Sequence, residues 1–286
     1  MLADAIRSES YRLLQNRTAV FWSMVFVPVI WLAGSIAADI FFDAKITPMA
    51  SQLPPEVTQT RGVLNLGQSL VTAAGHLANP ALLAFLLIGA ATVFTGDYRW
   101  ETWRLITPRN SRPNQIMGKA GAVKLMTLTG LFLFLAAALL GALAKAVIFD
   151  QSLAFSLGGE QARTFGLLCL LAYARVVQFL LLSLLAATVT RSLVAALFVP
   201  LVVGVAQVLL VKLSPLVGWG PLDWPTLLLF PGAAYETLKD VVVGALPTAA
   251  LQQGVVWRAI AGLALWSFVP FGLSVWWFSR QDLSKE

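Results

Sequence analysis

The side chains of this sequence that could do chemistry are concentrated between residues 96 and 119. Tyrosine and tryptophan alternate there with arginine, as in Asp97-Tyr98-Arg99-Trp100, and the stretch lies between two strongly apolar runs. Arginine forks bind carboxylates and phosphates, and aromatic and arginine side chains are enriched where proteins bind one another. These residue types therefore predict recognition. The surface recognised is either an acidic partner or a layer of lipid headgroups.

Other kinds of chemistry find no suitable set of residues in the sequence. His76 is the only histidine, and no cluster of histidine, cysteine, aspartate or glutamate at ligand spacing surrounds it. Gly62 to Ser69 has the glycine spacing of a phosphate-binding loop, but it lacks the lysine and the preceding strand that such a loop needs. We therefore predict that the chain has no catalytic site, binds no metal or cofactor and is not an enzyme.

Composition places the recognition segment in a membrane protein. Of the 286 residues, 58% are hydrophobic and 12% are charged, whereas soluble globular chains carry about 25% charged residues. The net charge of +6 lies in segments that flank the apolar runs, so it does not indicate nucleic-acid binding. The single cysteine, Cys169, lies inside an apolar run and can form no intramolecular disulfide.

Six apolar runs are long enough to cross a bilayer as helices. The expected fold class is an all-α membrane protein, one transmembrane domain over residues 1–286 with an N-terminal amphipathic helix. Between the last two runs, Leu227 to Phe230 and Ala233 to Val243 are too short to cross, which predicts re-entrant or interfacial helices. The predicted segments are an amphipathic lead (1–18), spans at 19–38, 78–95, 125–149, 164–190, 193–211 and 259–278, a charged loop (96–124) and an outer re-entrant segment (212–256).

The distribution of lysine and arginine predicts the orientation of the spans. If both termini lie inside, the inner segments hold twelve of these residues, the outer segments hold seven, and one lies within a span. Cytoplasmic loops carry the excess of positive charge in membrane proteins. Both termini and the 96–124 loop are therefore expected in the cytoplasm.

Among the polar residues within the predicted spans, three are candidates for a functional role, namely Arg175, Gln178 and Gln207. A charge at the centre of a span costs at least about 2.5–3.5 kcal/mol, and Gln178 follows Arg175 by three residues on the same helical face. These side chains could line a polar substrate path between two copies of the chain. Alternatively, backbone carbonyls and packing groups could satisfy Arg175 inside the fold, since no acid within a span is an obvious partner.

The charged loop resembles the signature of the ABC type 2 permeases, the membrane subunits of ATP-driven exporters. That signature has an acid followed by Tyr-Arg-x-Gly-Thr, and then a proline, an arginine and a later lysine. The six spans, the amphipathic lead and the broken segment before the last span also match the family, so the resemblance covers the whole chain. Glu101 departs from it, because the family has glycine there. The ten residues of this sequence that stand at or beside the signature are Asp97, Tyr98, Arg99, Trp100, Glu101, Thr102, Arg104, Pro108, Arg112 and Lys119.

The resemblance implies a function and a set of partners. Two copies of the chain, or one copy and a close homologue, would form the substrate path as a dimer in a bacterial inner (plasma) membrane. Two ABC ATPase subunits would dock from the cytoplasm on these ten residues, and ATP and Mg²⁺ would be bound by those subunits. The broken segment around Leu227 to Val243 would lie under the outer gate.

Two functions of other classes stay open from the sequence alone. One is a membrane scaffold or assembly factor that keeps the permease architecture without transporting anything. The other is a secondary carrier driven by ions, which the scarcity of acids within the spans disfavours.

Overall fold

The computed structural model describes residues 2–46, 63–100, 111–246 and 254–281, except for the side chains of Lys45 and Ile46. Over these residues the chain is built almost entirely from helices, and six of them are long and apolar enough to cross a membrane. This confirms the predicted class of helical membrane protein.

The helical elements follow the six apolar runs and add shorter pieces between them. The first span is formed by α2, a π-helical turn and α3 together, and the others by α5, α6, α7, α8 and α11. Helix α7 contacts α4, α5, α8, α10 and α11, and it is with α5 the most buried span. The elements are α1 (Leu2–Gln15), α2 (Arg17–Val20), the π-helical turn (Phe21–Val25), α3 (Phe26–Ile46), β1 (Leu64–Asn65), α4 (Leu66–Gly75), α5 (Pro80–Arg99), α6 (Arg112–Ile148), β2 (Leu153–Ala154), α7 (Gly159–Thr190), α8 (Leu193–Leu213), a 3-10 turn (Ser214–Val217), α9 (Trp224–Leu229), α10 (Pro231–Val242) and α11 (Val255–Arg280).

Helix α6 begins at Arg112, thirteen residues before the predicted start of the third span at 125. The predicted loop over 96–124 is therefore wrong at both ends, because α5 also continues to Arg99. Hydropathy misses these extensions because they are polar, although they are helical. Pro113 in the first turn favours the start of a helix. The extension is stabilised by α1, since side chains added at Gly118 or Gly121 would collide with Ala5 or Ile6.

The first span contains a local change of helical pitch next to a proline. The π-helical turn ends at Val25, and Pro28 follows it in α3. Proline removes an N–H group and its ring clashes with the carbonyl four residues earlier, here that of Met24. A π-helical turn is one way for a helix to absorb such a disturbance. It leaves Ser23 packed against α5, where a Cβ at Gly89 would lie 2.8 Å from Ser23 Cβ.

Two connecting segments pair as short parallel strands, a departure from the all-α prediction. Leu64 and Asn65 of β1 align with Leu153 and Ala154 of β2. Asn65 then begins α4 by accepting a hydrogen bond from the N–H of Gly67 (3.0 Å). A side chain at Gly67 would collide with the carbonyl oxygen of Ser156. The glycines that suggest a phosphate-binding loop thus include one that is required for close backbone packing.

Replacing Gly67 with alanine is expected to destabilise this strand pair by about 1–3 kcal/mol, because the added methyl group has no room beside a backbone oxygen. Gly75→Ala is the matched control, since it lies in the same helix and its Cβ would come no closer than 4.0 Å to Lys239 Cε. Chemical unfolding of the two purified variants in detergent measures the difference. Equal stability of the two would show that the close approach at Gly67 is not required.

The short helices α9 and α10 lie against α11, close to the bounds predicted from the apolar runs. A side chain at Gly262 of α11 would collide with the carbonyl oxygen of Leu227. Trp266 Nε1 donates to the carbonyl oxygen of Leu228 at 3.1 Å. Pro231 cannot supply an N–H group to the carbonyls of α9, so the break between α9 and α10 leaves acceptors to be satisfied. Helix α11 satisfies one of them and packs closely on the other.

Candidate functional site

Four charged side chains meet where α1, α5 and α6 come together. Asp97 Oδ1 lies 2.7 Å from Arg12 Nη2, and Asp97 Oδ2 lies 2.5 Å from Lys119 Nζ. Glu9 completes the group, with a carboxylate oxygen 3.4 Å from Lys119 Nζ and 3.2 Å from Arg12 Nη1. Asp97 is 0% exposed and Lys119 is 1% exposed. We name these four residues the charge cluster.

The charge cluster is electrically balanced, with two carboxylates and two cations. Balance is required here because a buried charge that loses its partner is strongly destabilising. Burial alone would lower the pKa of Arg12, but the hydrogen bond to Asp97 and the charges of Asp97 and Glu9 outweigh it, so the pKa of Arg12 is raised. The guanidinium of Arg12 is therefore held in its charged form by the two carboxylates.

Helix geometry explains why Asp97 needs two cations. It lies in the last turn of α5, where the helix dipole is negative and a carboxylate is unfavourable. Lys119 Nζ lies against Asp97 and also donates to the carbonyl oxygen of Val93 (2.8 Å), one turn earlier in α5. Glu9 and Arg12 are three residues apart on α1 and so face the cluster together. The cluster joins the end of α5, the first part of α6 and the N-terminal helix.

A second set of hydrogen bonds ties the chain's last described residue to the same end of the bundle. Gln281 Oε1 accepts from the hydroxyl of Tyr98 (3.0 Å), and Gln281 Nε2 donates to the carbonyl oxygen of Thr188. Arg112 Nη1 donates to the carbonyl oxygens of Gln281 (2.7 Å) and Ser279 (3.0 Å). Helices α5, α6, α7 and α11 are therefore fixed to one another beside the charge cluster.

The predicted coupling residues divide into an inward set and an outward set. Asp97, Tyr98 and Lys119 are buried, and Arg112 is half-buried. Arg99 and Trp100 point outward, with the Arg99 guanidinium 5.3 Å from the Trp100 ring centroid and Trp100 itself 69% exposed. The remaining predicted residues lie outside the described part of the chain, and they are Glu101, Thr102, Arg104 and Pro108.

Glu9, Arg12 and Gln281 are residues of this site that the sequence analysis missed. Opposite charges three residues apart on an amphipathic helix were visible at Glu9 and Arg12 and could have been noted. Nothing in the sequence signals that Gln281, from the far end of the chain, would meet Tyr98.

A separate polar group lies near the middle of α7. Arg175 Nη1 donates to Gln178 Oε1 (2.9 Å), and the guanidinium lies over the ring of Phe179 at 4.5 Å and near the ring of Tyr235 at 6.0 Å. Burial raises the pKa of Tyr235 to about 12. Its phenol is thus neutral at physiological pH and supplies no counter-charge. The predicted trio of Arg175, Gln178 and Gln207 does come together, and α10 adds Tyr235 to it.

Gln207 of α8 faces the same region. It is 6% exposed, and its Oε1 has no hydrogen-bond partner among the described residues. Gln178, Phe179, Leu182 and Trp266 line a cavity of about 10 Å³ with it. The structure thus brings the three polar residues together, but their role as a substrate path stays a prediction.

No group of three or more histidine, cysteine, aspartate or glutamate side chains in the described residues could hold a metal ion. His76 lies beside Trp31, with ring centroids 5.8 Å apart. Comparison of the chain with protein-family models, curated proteins and solved structures finds no match in any of the three.

Proposed function

We propose that this chain is the permease subunit of an ATP-driven ABC exporter and that it works as a dimer with two separate ATPase subunits. The charge cluster carries the proposal. It fixes both ends of the 101–110 segment to each other and to α1, because Asp97 precedes the segment and Lys119 follows it. A partner that pushes on this segment would therefore move α1, α5 and α6 together.

The orientation follows from the positive charge of the segments at this end of the bundle. The cluster and the C-terminal end of α11 lie together, and in the sequence lysine and arginine are most frequent in the segments that flank them. We place this end in the cytoplasm. The opposite end, with the β1–β2 pair and the ion pair between Asp39 and Lys145 (2.8 Å), then faces outward.

In the proposed mechanism, ATP binding closes the two ATPases and displaces the segment between α5 and α6 on which they dock. Because α1, α5 and α6 are tied through buried ion pairs, the displacement tilts these helices together. Helices α9 and α10 enter the membrane from the outer side without crossing it and move with α11, on which they pack. Coupling of this kind requires two states of the bundle that differ in their affinity for the ATP-bound partner.

The outward residues are expected to make the contact, and the buried residues to hold it in place. Trp100 is exposed and carries Arg99 over its ring, and tryptophan and arginine are the residue types most often dominant in binding energy. Asp97 and Lys119 cannot reach a partner from their buried positions. We therefore interpret the exposed residues of this motif as the docking surface and its buried residues as the contacts that hold that surface in place.

Trp100→Ala is expected to weaken binding of the ATPase subunit at least about thirty-fold, the effect of losing roughly 2 kcal/mol at a binding hot spot. Because Trp100 is 69% exposed, the thermal stability of the variant should be close to that of the wild type. Trp257→Ala is the control, since Trp257 is 74% exposed at the other end of α11. Titration of the purified chain with its ATPase subunit measures the affinities.

Wild-type affinity of Trp100→Ala would contradict docking at this surface. A scaffold function would give ATPase binding without ATP-dependent transport into inverted vesicles. A secondary carrier would transport in the absence of any ATPase, under an ion gradient alone.

A further inference from the structure

Three polar features converge on Gly232 in the first turn of α10. An ideal Cβ built on Gly232 would lie 3.2 Å from Arg175 Nη2 and 3.7 Å from Gln207 Oε1. The backbone of Gly232 therefore approaches a cation from α7 and an amide from α8. A methyl group at Gly232 would therefore crowd the guanidinium and lie in ordinary contact with the amide.

The N-terminus of α10 is itself a positive end. No side chain caps this helix, and Pro231 occupies its first turn. The first N–H groups of a helix have no partner within it, and the helix dipole adds partial positive charge there. Arg175, a full positive charge, faces this end. Two positive groups directed at one place are unfavourable unless an anion lies between them.

The surroundings of Arg175 do not supply that anion. Among the described residues, Arg175 makes one hydrogen bond, to the neutral side chain of Gln178, and no ion pair. The rings of Phe179 and Tyr235 are neutral. Glu236 acts on Arg175 through its charge, but it is exposed and makes no direct contact with the guanidinium.

Gln207 is a second, independent observation that points to a polar ligand. Its amide oxygen is buried, directed at Gly232, and without a partner in the described part of the chain. A buried polar atom left unsatisfied costs about 1–3 kcal/mol. The amide can also turn to present its NH₂ group, because its oxygen and nitrogen are nearly isosteric. In that orientation it would donate to an anion, as Arg175 and the α10 N–H groups do.

We propose that Arg175, Gln207 and the N-terminus of α10 form a binding site for the anionic group, a carboxylate or phosphate, of an amphipathic molecule. The N-termini of broken helices serve anions in this way in membrane transporters. The adjoining cavity of about 10 Å³ holds roughly one water molecule. A carboxylate or phosphate is larger than one water molecule, so it enters only as the side chains of Gln207 and Arg175 turn aside, while the apolar body of the ligand stays among the exposed apolar side chains of the spans.

This inference rests on the proposed export function. It adds the chemical class of the exported molecule, an amphipathic anion. Binding needs neither an ATPase nor ATP. A chain that binds the anion but no ATPase would refute export and keep the site, and the converse result would refute the site alone.

The test uses the full chain in nanodiscs of phosphatidylcholine, with octadecyl phosphate whose chain carries two bromine atoms as the probe. Bromine quenches tryptophan, and Trp266 lies beside Gln207. Octadecanol with the same brominated chain is the uncharged control. We expect the phosphate to bind the wild type at least about ten-fold more tightly than the alcohol, the effect of a hydrogen bond to a charged group. Equal binding of the two would overturn the proposal.

Three variants locate the site. Arg175→Gln should abolish the preference for the phosphate, Arg175→Lys should keep part of it, and Gly232→Ala should weaken it by crowding Nη2. Arg163→Gln should leave it intact, because Arg163 is exposed on the same helix. Gly232→Ala keeps the Arg175 charge, so the test survives if Arg175→Gln does not fold. An unchanged preference in both Arg175→Gln and Gly232→Ala would overturn the assignment.

Competition separates the sources of the anion. Unlabelled phosphatidylglycerol in the nanodisc should displace the probe if the ligand arrives from the membrane, and inorganic phosphate in the buffer should displace it if the site opens to water. Either displacement supports an anion site. Failure of both would contradict it.

Discussion

Asp97→Asn is expected to destabilise the folded chain by about 3–5 kcal/mol, the usual cost of removing one partner from a buried ion pair. Lys119 is 1% exposed, and its ammonium would lose its nearest carboxylate and keep the more distant Glu9 carboxylate at 3.4 Å. Arg12 would lose its 2.7 Å contact as well. Unfolding in mixed detergent micelles, followed by circular dichroism, measures the loss.

Two further variants separate the buried charge from other effects of the substitution. Asp97→Asn combined with Lys119→Met should recover at least half of the loss, because Glu9 and Arg12 then remain as a balanced pair. Asp39→Asn removes the same group from the ion pair with Lys145, whose side chains are 29% and 36% exposed. An exposed pair contributes about 0–1 kcal/mol. If Asp97→Asn cost no more than Asp39→Asn, the charge cluster would not support the fold.

Gly262→Ala is expected to cost about 1–3 kcal/mol or more, because its methyl group would overlap the carbonyl oxygen of Leu227 in α9. A flexible side chain could move aside, but a backbone oxygen moves only with its helix. Helices α9 and α10 would shift on α11, and the hydrogen bond from Trp266 to Leu228 would be strained. The unfolding free energy and the tryptophan emission of the purified variant report both effects.

Gly272→Ala is the matched control on the same helix. Nothing lies within 4 Å of a Cβ built at Gly272. Alanine is favoured over glycine in a helix by about 1 kcal/mol, so Gly272→Ala should be neutral or stabilising. Opposite signs for the two variants are the expected result. The same sign for both would mean that α9 does not pack on Gly262 as described.

Local patterns in the sequence were sufficient for the spans and for the short helices. The apolar run from Leu227 is bounded by prolines and too short to cross. Helix α9 begins three residues before the predicted start and α10 two residues before it, and each ends one residue before the predicted end. Each of these predictions depends on neighbours along the chain, namely hydrophobic run length and proline position. The start of α6 at Arg112 was missed because its first thirteen residues are not an apolar run. They are stabilised by packing against α1, which hydropathy does not detect.

The charge cluster could not be predicted because its partners are distant in sequence. Arg12 and Asp97 are separated by 85 positions, and Lys119 and Glu9 by 110. Nothing in the sequence indicates which residues of the loop motif are buried and which are exposed. Asp97 and Trp100 belong to the same motif, yet one is fully buried and the other largely exposed.

The proposed function is tested most directly by purifying the intact chain from its native membranes in mild detergent and measuring ATP hydrolysis. We predict that a nucleotide-binding subunit co-purifies in one copy per chain, that the complex hydrolyses ATP, and that Trp100→Ala loses both the subunit and the activity. A wild-type chain that purifies without such a subunit and without ATP hydrolysis would contradict the proposal.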